Sequence, residues 1–516
     1  MIVMTSMTGL FDVLDGPLWT APRATALVAT ADRIPVSYGT LSELVDQVVA
    51  DLRDAGLRRG DTVGLVGAGT VEFVVGLLGA ARAGLVTAPL DPALPAAELI
   101  GRLDRLGARA VLIGLAAAGD PPVVVPGAAA MRVRVELTGP VTASARLESD
   151  AVRSRAHANP GLCAEDALGL FSSGSSGRPM LVPLTHANVA VSVQGICATY
   201  DLGADDATVA VMPLFHGHGL IAVLLASLAS GGRVLLPIRG RFSAHTFWKD
   251  MRAVGATWFS AVPTIHQILL SRPAAERPSP GVLPLRFIRS CSAPLDVTTA
   301  RAVAHAFGAP MLHAYGMTET THQAAGEPIG GRSVAERGSV GCATGAVRLR
   351  IVAGDGHCCP VGVVGEVWVS GPTVVRGYLA DPAETAKSFV DGWFRTGDLG
   401  TLDADGRLYL TGRIKNVINH GGEKISPEHV EGVLTGCNGV VEAAVFAIPD
   451  ETYGERVGAA VVLSAGLATG TEQITLECRG KLPSFEVPER MDIVASLPHT
   501  AKGAIDRNAV RALYAH

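Results

Sequence analysis

The stretch Ser172-Ser173-Gly174-Ser175-Ser176-Gly177-Arg178-Pro179 is the part of the chain best suited to chemistry. Small residues let a backbone fold closely around a phosphate, with N–H groups and hydroxyls facing its oxygens. No Gly-Lys-Ser/Thr follows at the spacing of a Walker loop. Taken alone, the same composition also fits a flexible Ser/Gly linker. The apolar segment before it, and Thr185-His186-Ala187-Asn188 after it, favour the phosphate loop.

Such a loop must be held by a scaffold, and the flanking sequence supplies one. Between residues 40 and 115, helical and strand signals alternate. Leu41 to Leu57 has helical spacing, Thr62 to Val66 reads as a strand, and Val71 to Ala83 as a helix. Val86 to Leu90 is strand-like, Pro95 to Leu106 helical, and Ala110 to Ile113 strand-like again. Strands separated by helices imply a parallel, doubly wound sheet. The pattern recurs at Val209 to Met212, Val234 to Leu236, Trp258 to Val262 and Leu285 to Ile288. After residue 345, short strands such as Val347 to Val352 and Glu366 to Val369 alternate with Gly/Pro turns, which suits a β-rich subdomain. From about residue 412 a third texture begins. Ser426-Pro427 reads as an N-cap followed by proline in the first turn, opening a helix through Leu434. Strands at Val440 to Ile448 and Val457 to Leu463 complete a small α+β unit. The fold class expected is α/β: a large N-terminal domain of doubly wound sheets with a β-rich subdomain, then a small mobile α+β C-terminal domain.

Composition narrows the function classes. At 516 residues the chain is too long for one compact core. It is 48% hydrophobic and 18% charged, with net charge −5 and no basic block, so nucleic acid is not an expected partner. Its eight cysteines form no CxxC pair, and reduced thiols are expected rather than a disulfide or zinc framework. The start Met1-Ile2-Val3-Met4-Thr5 lacks a basic region followed by an apolar core, so no signal peptide is expected. The most apolar run, Gly219 to Leu228, is too short to span a bilayer and reads as a buried helix. The expected location is cytoplasmic, with no membrane span.

Further motifs carry a resemblance over about residues 30–510. They are Pro213-Leu214-Phe215-His216-Gly217, Ser290-Cys291-Ser292-Ala293-Pro294, Tyr315-Gly316-Met317-Thr318-Glu319 and Trp393-Phe394-Arg395-Thr396-Gly397-Asp398. Gly412-Arg413-Ile414-Lys415-Asn416, Gly421-Gly422-Glu423-Lys424-Ile425-Ser426-Pro427 and the segment Pro498 to Arg507 follow. With the Ser/Gly loop, they resemble the motif set of the adenylate-forming superfamily: acyl-CoA synthetases, nonribosomal-peptide adenylation domains and luciferases. The wording of Ala256 to His266 and Arg289 to Ser292 is similar to oxalate–CoA ligase-like members.

The resemblance implies roles. Ser172 through Gly177 would cradle phosphate, and Ser292, Ala293 and Pro294 would border adenine. Tyr315 would stack on adenine beside Gly316, Thr318 would touch phosphate, and Glu319 would hold Mg²⁺ against phosphate oxygens. Asp398 would accept bonds from the ribose hydroxyls and Arg413 would contact ribose or phosphate. His216 would gate the passage between the acyl site and the CoA tunnel. Lys415 would be the hinge between a domain of residues 1–412 and one of 413–516. Gly421 and Gly422 would let backbone approach the pantetheine thiol. Each residue alone has a plainer explanation: a structural histidine, a turn aspartate, a hairpin glycine pair, a tyrosine packed in a core.

Two positions depart from the family pattern. Its phosphate-loop lysine is replaced by Met180, and the lysine after the last glycine by Ala504. In the family the first contacts pyrophosphate, while the second binds the carboxylate and the α-phosphate during adenylation. Removing one preorganised donor to transition-state charge costs ~2.7–4 kcal/mol, so losing two costs roughly 10⁴–10⁶ in rate. The resemblance therefore implies a non-adenylating enzyme. It would transfer the acyl group of a preformed acyl-AMP to coenzyme A, perform thioesterification alone and draw on a separate adenylating ligase, with Mg²⁺ dispensable. Two alternatives remain open. In a complete ATP-dependent ligase, Lys502 would compensate for Ala504, with Arg178 serving pyrophosphate. In a noncatalytic acyl-AMP-binding protein, no thiol path would be needed.

Overall fold

The computed structural model describes residues 8–29, 33–116, 130–137, 143–149, 160–172, 179–273, 276–277, 282–330, 338–420, 423–464, 469–499 and 505–515. The helices and strands expected between residues 40 and 115 form with small shifts at their ends. They run as helix Tyr38–Asp54, strand Thr62–Val66, helix Val71–Arg82, strand Val86–Leu90, helix Ala96–Leu106 and strand Ala110–Ile113. Both strands bracketing Val71–Arg82 are buried along their whole length, as continuous apolar runs in a parallel sheet should be. Seven strands share this sheet. Their order is Ala143–Ser149, Ala130–Leu137, Ala110–Ile113, Thr62–Val66, Val86–Leu90, Asp166–Ser172, Met180–Thr185. The last pair is an antiparallel hairpin whose tip carries the Ser/Gly loop. Residues 173–178 of that loop lie outside the described residues.

The later α/β repeats do not extend this sheet. Strand Arg233–Leu235 pairs parallel with Ala207–Val209 on one side and with Thr25–Ala29 on the other, in a four-stranded sheet closed by Ile34–Ser37. Trp258–Ala261, Phe287–Ser290 and Met311–Tyr315 form the parallel part of another, completed by short antiparallel strands at Ala325–Gly326 and Cys342–Ala343. Hydrophobic periodicity reports that a strand is buried on both faces, not which sheet receives it. The apolar run after His216 is buried helix throughout. It winds as a π-helix over His218–Leu225 and as an α-helix over Ala226–Ala229.

The β-rich subdomain is built on Arg348–Val352, Gly365–Ser370, Phe389–Val390, Trp393–Leu402 and Leu408–Arg413. A separate sheet then begins at Ile418–His420. With Glu423–Ile425, Val440–Asp450, Gly454–Leu463 and Arg490–Val494, it packs on helices Pro427–Thr435 and Thr471–Arg479 around its own core. Ser426 caps the first of these helices through the His429 amide, with Pro427 in the first turn. All eight cysteines are free thiols. Among the described residues no helix is long and apolar enough to cross a membrane.

Candidate active site

The site forms where the parallel strands of the second large sheet end against the β-rich subdomain. Strand Met311–Tyr315 delivers Tyr315 at its C-terminal end, and strand Trp393–Leu402 delivers Asp398. The Tyr315 hydroxyl donates to Asp398 Oδ2 at 2.7 Å. Arg413 Nε reaches Asp398 Oδ1 at 2.6 Å, from the end of the neighbouring strand. Burial, and then the Asp398 charge, push the Tyr315 phenol far up, so it remains a donor. The sequence thus anticipated three residues that the fold brings into one hydrogen-bonded unit. Lys415 follows Arg413 in a tight 3-10 turn, Ile414–Asn416, where burial and then the Arg413 charge lower its ammonium pKa.

Gly316 must be glycine, because a Cβ there would run into the His322 carbonyl. The chain then turns through Thr318–Thr320, which sets Glu319 at 7% exposure. Tyr378 donates from its hydroxyl to Glu319 Oε1 at 3.0 Å. Among the described residues no three acidic, His or Cys side chains cluster as a metal cage. A lone carboxylate with hard oxygens fits Mg²⁺, which takes one or two carboxylates and fills its shell with phosphate oxygens and water.

Met180 opens the second strand of the loop hairpin, opposite Ser172. Its side chain is 8% exposed, and the following Leu181 is buried at 2%. Both residues belong to the strand core. Gly421, Gly422, Lys502 and Ala504 lie outside the described residues, as do Ser173, Gly174, Ser175, Ser176, Gly177 and Arg178. The segment carrying Lys502 and Ala504 is flanked by an antiparallel bridge between His499 and Ile505. Arg507 beyond it is fixed by Glu431 at 2.6 Å.

A second polar cluster centres on Arg289, which the sequence reading noted only within the oxalate–CoA ligase-like wording Arg289 to Ser292. Arg289 is the third residue of strand Phe287–Ser290 and is wholly buried. Its Nε donates to the Tyr200 hydroxyl at 3.1 Å. Nη1 reaches Ser260 Oγ at 2.8 Å and His218 Nε2 at 3.3 Å, while Nη2 reaches His322 Nε2 at 3.0 Å and Gln323 Oε1 at 2.8 Å. These five contacts use the five N–H groups of a guanidinium, and none of the partners is a carboxylate. A guanidinium only donates, so the two facing imidazole nitrogens accept and both rings carry their proton on Nδ1. His218 Nδ1 then donates to Ser292 Oγ at 3.1 Å. Burial, and next the Arg289 charge, hold both imidazoles well below their ordinary range and therefore neutral. Ser292, Thr321 and His322 all adopt positive φ, at 73°, 50° and 78°. Non-glycine residues in that region mark sites where the surroundings impose the conformation.

His216 is placed one turn before this cluster, half-buried, with its ring edge-on to Phe215 at 4.6 Å. Its neighbour two residues on, His218, makes the buried contacts. Two sequence signals pointed here: a second histidine in His216-Gly217-His218, and an arginine inside the apolar strand Phe287-Ile288-Arg289-Ser290.

Comparison with known proteins identifies the family. Residues 19–379 match the model of the AMP-binding enzyme family, and 429–504 that of the AMP-binding enzyme C-terminal domain. The chain is 40% identical over 489 residues to an oxalate–CoA ligase of Arabidopsis thaliana, covering 94% of each. It is 38% identical over 344 residues to a sulfoacetate–CoA ligase of Cupriavidus necator, covering 66% of each. Its structure resembles the crystal structure of ATP-bound MatB from Rhodopseudomonas palustris with a TM-score of 0.84 at 28% identity, covering 98% of this chain and 99% of the other. With two matched domains and relatives spanning nearly its whole length, the chain belongs to the AMP-binding enzyme family, on its acyl-CoA ligase branch.

Proposed function

We propose that this protein makes an acyl-CoA chiefly by thioesterification, from the acyl-adenylate of a small acid bearing a second anionic group. The observation that carries the first part is the fate of the two lysine positions. Met180 is a buried strand residue with no cationic group to offer, and residue 504 is alanine. The Tyr315–Asp398–Arg413 unit that would grip the nucleoside is intact. In the transfer step the CoA sulfur bonds to the acyl carbonyl carbon. The bond from that carbon to the AMP phosphate oxygen breaks, AMP leaves with the electron pair, and the thiol proton passes to solvent. None of this requires the missing cations. His216 lies on the thiol's path, and Gly421 and Gly422 line it once residues 413–516 pivot at Lys415. Mg²⁺, where present, would be held by Glu319 and would neutralise phosphate charge. A separate ligase supplies the adenylate.

The acid class rests on Arg289. A buried guanidinium with only neutral partners leaves a net positive charge on the strand next to that of Tyr315, where the acyl group would lie. Its shell is saturated, so the anion does not replace a partner. Instead it meets the Nδ1–H of His322 and the Ser292 hydroxyl, groups polarised from behind by the cation. Oxalate and sulfoacetate, the acids in the names of the two relatives, each carry a second anionic group.

The test supplies purified protein with CoA and either acid plus ATP or synthetic acyl-AMP, using sulfoacetate and acetate as the acid pair. The expected result is fast thioester formation from sulfoacetyl-AMP, little from acetyl-AMP, and slow formation from acid plus ATP. Rapid acid-dependent pyrophosphate exchange overturns the thioesterification assignment. Equal use of both adenylates overturns the acid class.

A further inference from the structure

The segment from Gly371 to Leu379 joins strand Gly365–Ser370 to helix Pro382–Ser388, yet it is fastened almost entirely to other parts of the fold. Asn188 Nδ2 donates to the Pro372 carbonyl at 2.6 Å, and Thr321 Oγ1 to that of Thr373 at 2.6 Å. The Val375 amide donates to the Glu319 carbonyl at 3.0 Å, and the Leu379 amide to that of Leu181 at 2.9 Å. Arg376 grips buried Asp166 with both terminal nitrogens, at 2.5 and 2.7 Å. The segment is a strap laid across the loop hairpin and the turn that carries Glu319.

Tyr378 is the strap's one side chain on that carboxylate. Gly377 before it has φ of 142°, and a Cβ there would collide with Thr385, so the backbone is pinned where the phenol leaves it. The Tyr378 amide donates to Thr385 Oγ1 at 2.9 Å, and the ring packs edge-on against Phe389 at 5.6 Å. The hydroxyl contacts Glu319 Oε1 at 3.0 Å. Glu319 Oε2 has no hydrogen-bond partner among the described residues.

We propose that Tyr378 is a positioning residue for Glu319, tying down Oε1 so that Oε2 faces a divalent cation on the nucleotide phosphates. This rests on Glu319 being the metal-side carboxylate. An unheld glutamate has three rotatable bonds and must be ordered when metal arrives. One clamped in advance has met that cost during folding.

Metal binding tests this without turnover. The full-length protein, saturated with ATP, is titrated with Mn²⁺ and read by electron paramagnetic resonance. Tyr378→Phe keeps the ring and removes only the donor. It should weaken Mn²⁺ about tenfold while leaving metal-free ATP affinity unchanged. Glu319→Gln should weaken Mn²⁺ at least as much. If Glu319→Gln does so and Tyr378→Phe does not, the positioning role is overturned and Glu319 keeps its metal. If Glu319→Gln leaves Mn²⁺ binding intact, the assignment of Glu319 itself fails.

Discussion

Arg289 concentrates the substrate question in one side chain. Replacing it by methionine removes the charge and all five donors while roughly keeping volume. The kcat/KM for a doubly anionic acyl-adenylate should fall roughly a hundredfold, about 2.7 kcal/mol, because the His322 and Ser292 donors lose the cation behind them. A singly charged analogue should change only a few-fold, and parallel kinetics on the two adenylates measure the difference. Ala504 poses the complementary question of rescue. Gly503, Ile505 and Arg507 keep the family spacing, so Ala504→Lys should raise acid-dependent pyrophosphate exchange above the natural protein. Adding Met180→Lys is less favourable than spacing alone suggests, because position 180 is buried. It should lower stability by about 1–3 kcal/mol, visible as a drop in melting temperature. Lys502→Ala in the natural background is the control. If it abolishes ATP-dependent activity, Lys502 is the substitute cation and the thioesterification assignment is wrong.

Among the elements, the turn proposed as a hinge is the one with a functional prediction attached. Lys415 sits in the short turn between the last strand of the β-rich subdomain and the first of the C-terminal sheet. Lys415→Pro fixes φ there. It should slow thioester formation while leaving acyl-AMP affinity nearly intact, which rapid-quench and equilibrium binding would separate. Equal turnover counts against a pivot at this position. Element reading from sequence worked where period and burial agree. Thr62–Val66 and Val86–Leu90 were readable because short, wholly buried parallel strands are continuous apolar runs. It worked less well where pairing is decided by distant residues. Nothing local in Val234–Leu235 indicates that it joins Leu27–Val28 rather than the seven-stranded sheet. The site divides the same way. Tyr315, Asp398 and Arg413 were legible because they stand in recognisable strings. Arg289, His218 and His322 come from three separate segments, and only folding makes them a cluster. Tyr378 was hidden for a similar reason, its partner Glu319 lying 59 residues away.

At the scale of the whole molecule, the imidazoles set the acid limit. Burial pushes His266 down to about 3 and His313 down to about 4, and holds His218 and His322 well below their usual range. In the unfolded chain all four titrate near 6.5. Between those values the unfolded state binds more protons, so stability is fully present above about pH 6.5 and declines as pH falls below it. Each imidazole contributes a slope of up to about 1.4 kcal/mol per pH unit. Melting temperature measured from pH 7.5 to 5 should fall, and His266→Gln should flatten the slope by about one proton.

The saturated shell of Arg289 has a further consequence. A cation buried at 0% exposure among neutral partners should favour binding of an anion nearby. An occupant that binds only the folded form adds RT ln(1 + [L]/Kd), about 2.7 kcal/mol at a hundred times its Kd. The protein should therefore act as its own reporter for candidate acids. In a melting screen, small dianions should raise the midpoint in proportion to the logarithm of their concentration. Monoanions of equal size should not, and Arg289→Met should erase the distinction.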